Sequence, residues 1–101
     1  MTKKIRIADL PEFDLAEYLN SEEDIAAYLT MVIEGGDTGE LAHALGLAAR
    51  ARGMTEIASA SGLSREALYK ALRPSAHPRF DTISRVCSAL GVRLVAQPAH
   101  V

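Results

Sequence analysis

The sequence predicts an all-α fold: a five- or six-helix bundle with at most a short strand near its C-terminal end. Three observations predict it. Apolar residues recur at helical spacing, most clearly Ile25, Tyr28, Leu29, Val32 and Ile33. Serine or aspartate followed by acids precedes several of these stretches, as at helix starts. Glycines (Gly35-Gly36, Gly53, Gly62 and Gly91) follow them, as at helix ends.

Taken in order, the first dozen residues are expected to be irregular apart from a short strand at Ile5 to Ile7, with Pro11 delaying any helix. Asp14 can then cap a short helix that carries Leu15, Tyr18 and Leu19 and ends near Asn20. Ser21 with Glu22, Glu23 and Asp24 starts a second helix, Glu22 to Glu34, which Gly35-Gly36 stops. Asp37 and Glu40 form a capping-box variant for a third helix, from Thr38 to about Arg52. Its inner face is Leu41, Ala44, Leu45 and Ala48, with His43, Arg50 and Arg52 outside. Two short helices follow, about Met54 to Ala60 and Ser64 to Leu72, separated by Ser61-Gly62-Leu63. Pro74 and Pro78 make the stretch 73–79 a loop. A last helix from about Phe80 to Leu90 places Ile83, Val86, Cys87 and Leu90 on one side, and Val92 to Gln97 reads as a short strand before Pro98.

A chain of 101 residues suits one domain with one apolar core, and 49% hydrophobic with 24% charged residues is the balance of a soluble globular protein. No apolar run approaches the roughly 18 residues of a membrane helix, and Met-Thr-Lys-Lys-Ile-Arg is not followed by a signal-peptide core, so a cytoplasmic location with no membrane partner is expected. Cys87 has no second cysteine to pair with, and His43, His77 and His100 are scattered, so neither a metal nor a cofactor is expected. The sequence shows no nucleophile-and-base spacing and no glycine-rich phosphate loop, which argues against an enzyme. Charge is more informative in its distribution than in its sum of −2. Residues 9–40 hold ten acids and no Lys or Arg, whereas residues 41–101 hold eight bases against three acids. A basic half can meet phosphate while an acidic half meets something basic.

Met54 to Arg73 has the residue pattern of a helix-turn-helix. Such a unit needs a small residue where its two helices cross, a glycine able to take positive φ in the turn, and apolar anchors around both. Ala58, Gly62, and Ile57, Leu63 and Leu68 meet these requirements. An ordinary helical hairpin is the competing interpretation. Ser64, Arg65, Glu66, Tyr69 and Lys70 then project from the second helix into a groove of double-stranded DNA. Arg65 has the fork that matches guanine O6 and N7, and Glu66 can accept from a cytosine amine or orient Arg65. Ser64 caps the helix and touches phosphate, and Tyr69 reaches a phosphate or a thymine methyl. Lys70 and Arg73 clamp phosphates, and Thr55 holds one at the start of the preceding helix. The domain thus divides into an acidic helical segment, 9–36, and a DNA-binding helical core, 38–91.

The segments Phe13-Asp14-Leu15-Ala16-Glu17-Tyr18-Leu19, Glu23 to Leu29, Ala49 to Met54 and Gly62 to Leu72 resemble the antidote proteins of bacterial addiction modules. These are related to HigA-type antitoxins and to the phage-repressor class of helix-turn-helix proteins. The resemblance spans about residues 9–97. It implies an antitoxin that binds a small basic toxin similar to the RelE and HigB ribonucleases and represses their shared promoter. The acidic segment fits such a partner. The short first helix of the motif lacks the Thr-Gln pair common in the wider class, and Thr55 replaces it only in part. A homodimer is expected, because one short helix reads too few base pairs whereas a two-fold pair reads two half-sites. The last helix with Val92 to Gln97 offers a surface for it, unless that strand pairs with Ile5 to Ile7. A stand-alone repressor, or an interaction module that has lost DNA binding, are the alternatives.

Overall fold

The computed structural model describes residues 11–99, which form six helices and no strand. They are α1 (Glu12–Tyr18), α2 (Glu22–Gly35), α3 (Thr38–Arg52), α4 (Met54–Ser61), α5 (Arg65–Ala71) and α6 (Phe80–Ala89). The expected strand at Ile5 to Ile7 and the residue His100 lie outside the described residues.

Local chemistry sets most of the boundaries. The Ser21 hydroxyl accepts from the Asp24 N–H at 3.1 Å, and three acids follow in the first turn of α2. Asp37 Oδ1 accepts from the N–H groups of Gly39 and Glu40 at the head of α3. At the first helix the expected cap is displaced. Pro11, not Asp14, is the cap residue of α1, at φ −60° and ψ 157°. The pyrrolidine ring fixes φ near that value, so the chain enters the helix directly after it and Asp14 falls inside the helix.

The core is one cluster drawn from every helix, and α3 lies at its centre. The sequence assigned α3 one inner face, but the structure also buries Ala42, Gly46, Leu47 and Ala49, while Leu41 and His43 are half-buried. The cause is that α1, α2, α4 and α6 all pack against it. Gly46 permits a close approach from elsewhere: a Cβ there would stand 3.0 Å from the Leu72 carbonyl oxygen just beyond α5.

Val92 to Gln97, expected as a strand, is extended but is not one. A strand requires a hydrogen-bonded neighbour, and no ladder partner exists among the described residues. Its first amide is already committed to ending α6. Gly91, at φ +83°, donates to Ser88 O at 3.0 Å and Val92 donates to Cys87 O at 2.9 Å, the paired bonds of a Schellman cap. Val92 and Leu94 then pack half-buried against the core.

Cys87 is buried in that core, and burial pushes its thiol above the ordinary range because the thiolate would lose its hydration. A raised folded-state value means that the associated stability is complete below the unfolded thiol's pKa of about 8.5 and is lost as pH rises through the folded value. Urea unfolding between about pH 7 and pH 9.5 should therefore show a larger loss of stability for the native chain than for Cys87→Ala. Parallel losses in the two proteins would refute this account.

Candidate nucleic-acid interface

The segment from α4 to α5 is held by two capping devices separated by one residue. Gly62, at φ +78°, donates to Ser59 O at 3.3 Å, and Leu63 donates to Ala58 O at 3.0 Å, which closes α4 in a Schellman cap. A Cβ at Gly62 would meet no atom within 4 Å, so the glycine is required for its backbone angle and not for space. Ser64 follows in extended conformation, and its hydroxyl accepts from the Ala67 N–H at 3.0 Å to start α5. Three residues therefore separate the helices. The Ser61 hydroxyl is buried and donates to Ala58 O at 3.1 Å, so the tight turn leaves no polar group stranded there.

Anchoring is as the pattern of the sequence requires. Ile57 and Ala58 of α4 and Leu68 of α5 are buried, with Leu72 just beyond α5, while Leu63 is half-buried between the helices. Burying Leu68 turns the opposite side of α5 outward, and Arg65, Glu66, Ala67, Tyr69 and Lys70 are all exposed. Ser64 and Arg73, at the two ends of α5, are exposed as well. Glu66 lies in its first turn and Lys70 in its last, each on the side that the helix dipole favours.

Two of the candidate residues touch. Arg65 Nη2 donates to the Tyr69 hydroxyl oxygen at 3.2 Å, and the guanidinium carbon sits 5.6 Å from the Tyr69 ring centroid. The partner is one turn further on, not the adjacent Glu66. The i, i+4 spacing contains the signal, although a tyrosine is easily passed over as an exposed aromatic.

Thr55 is placed elsewhere. It is exposed and lines an open groove of about 760 Å³ together with Asn20, Arg52, Glu56 and Ser59, and no residue of α5 lines that groove. The sequence placed Arg52 outside α3 without assigning it a role, yet it is the cation that shares the groove with Thr55. Beyond α5, Arg79 faces Asp81 at 3.6 Å in a highly exposed pair that offsets part of the charge of that loop.

Other chemistry is sparse. Among the described residues no group of three His, Cys, Asp or Glu side chains is arranged to hold a metal. His77 Nδ1 is hydrogen-bonded to Thr38 Oγ1 at 3.1 Å. Among the described residues no helix is long and apolar enough to cross a membrane.

A family model described as "probable addiction module antidote protein" matches residues 9–98, a span that includes all six helices. The chain belongs to the addiction module antidote family. An uncharacterized protein of Haemophilus influenzae is 43% identical to this antidote over 91 residues, which are 90% of this chain and 94% of the relative. No solved structure matches.

Because only backbone conformation demands a glycine in the turn of the antidote, Gly62→Ala should cost about 1 kcal/mol and Gly62→Asn less. Urea unfolding of both variants checks this, and equal, negligible losses would show that the turn tolerates any residue.

Proposed function

We propose that this antidote neutralises a small basic toxin of the RelE/HigB type and represses its own promoter through a helix-turn-helix of the phage-repressor type, formed by α4 and α5. Membership in the antidote family implies a toxin of some kind. The observation that carries the DNA-binding half is α5 itself: a Gly62 turn and a buried Leu68 leave Arg65, Glu66, Tyr69 and Lys70 on one outward side. In this reading, which makes the protein a HigA-type antitoxin, Arg65 reads guanine, while Ser64, Lys70, Arg73 and Thr55 engage phosphates. The role is regulatory, non-catalytic and cytoplasmic.

The protein acts on DNA as a homodimer through α6 and the extended segment after it. Phe80 of α6 and Val95 of the extended segment, exposed at 71% and 73%, supply apolar area. The toxin-facing surface lies in residues 9–40. Glu17, Glu23 and Glu34 are exposed there beside the exposed apolar side chains Tyr18, Met31 and Ile33, a mixture suited to a basic protein partner.

Arg65→Ala is expected to weaken binding to the promoter upstream of the antidote's gene by about 1 to 3 kcal/mol at fixed salt. Unchanged affinity would remove Arg65 from base readout. Deleting the acidic segment is not a clean test of toxin binding, because Leu15, Leu19, Ile25 and Leu29 belong to the core. Changing Glu17, Glu23 and Glu34 together to Gln leaves that core intact. The triple variant should associate roughly tenfold more slowly with the product of the adjacent toxin gene at low salt, with promoter affinity preserved. An unaltered association rate measured by surface plasmon resonance would exclude this acidic surface.

A further inference from the structure

We propose that Tyr69 is a positioning residue for Arg65, one that sets discrimination at guanine without itself touching the base. The inference rests on the DNA reading above. Helical side chains lean toward the N-terminus, so the Tyr69 ring lies back over the turn that carries Arg65. There it meets the guanidinium twice, through the 3.2 Å bond to its hydroxyl and through the ring face 5.6 Å from the guanidinium carbon. Both residues are exposed, so core packing does not impose the contact.

The donor inventory shows why the contact is compatible with reading a base. A guanidinium has five N–H donors, and the bond to Tyr69 uses one of those on Nη2. The second N–H of Nη2 and those of Nη1 remain, enough for the two parallel bonds that guanine O6 and N7 accept. The Tyr69 hydroxyl accepts from Arg65, so what it contributes is the orientation of the guanidinium. An exposed arginine with no such partner would have to be ordered when DNA binds; here part of that ordering precedes binding. Tyr69 should therefore influence selectivity more than general affinity for duplex.

The test uses the full chain and a duplex selected by the native protein from a randomised library, with a scrambled duplex of the same length as control. Tyr69→Phe keeps the ring and removes the hydroxyl. It should lower affinity for the selected duplex about three- to tenfold and leave the scrambled duplex unaffected. In an Arg65→Ala background, Tyr69→Phe should have no further effect, because nothing remains to be positioned. Replacing the Arg65-dependent guanine with 7-deazaguanine, which lacks N7 but keeps O6, should shrink the difference between the native chain and Tyr69→Phe. Effects that multiply in the double variant, or equal weakening on both duplexes, would overturn the positioning role and make Tyr69 an independent phosphate contact. Native protein that selects no sequence would overturn the DNA reading itself, and this inference with it. Circular dichroism on each variant confirms that the exposed substitutions leave the fold intact.

Discussion

Close approach to α3 is the constraint on which the rest of the molecule depends. Five of its buried residues are alanine or glycine plus the leucine pair Leu45 and Leu47 between them, and the small ones let neighbouring backbones come near. Larger side chains then come from outside: Leu15 and Leu19 near α1, Ile25 and Leu29 from α2, Ile57 from α4, and Val86 and Leu90 from the end of α6. At Gly46 the lack of a side chain lets the Leu72 carbonyl settle against the helix. That contact lies at the C-cap of α5, and Ser64 caps its start. The outward side of α5 is thereby oriented by a backbone contact at one end and a capped turn at the other.

The separation of charge is built on the same frame. Glu17, Glu22, Glu23 and Glu34 are exposed on helices whose buried residues include Leu15, Ile25 and Leu29, and eight of the eleven bases lie from the end of α3 onward. The two halves differ in electrostatic character but share one core, so neither is an appendage of the other. Such an arrangement joins an acidic and a basic half in one small protein without a linker between them.

Much of this was legible in the residues. Helix starts at Ser21, Asp37 and Ser64, and stops at Gly36, Gly53, Gly62 and Gly91, follow from capping chemistry that acts over three or four residues and is therefore written locally. The features that were not legible depend on neighbours distant in sequence. α3 reads as one-sided because its alanines are ambiguous between core and surface, and only the presence of four packing partners decides them. Val92 to Gln97 has the β-branched and apolar residues of a strand, but pairing is a property of two segments and no local pattern supplies the second. The outward residues of α5 were identifiable from periodicity alone. The contact between Arg65 and Tyr69 was not, since either side chain has several rotamers that avoid it.

Leu68 has a consequence for the history of such a protein. It is the one fully buried side chain within α5, while five of the other six residues of that helix are exposed. Substitutions at exposed positions away from caps usually change stability by no more than about half a kcal/mol. The chemistry displayed by this helix can therefore be rewritten residue by residue while Leu68, the Leu72 contact with Gly46 and the capped turn keep α5 in place. Relatives of this chain can thus diverge in the side chains displayed on this face long before they diverge in shape.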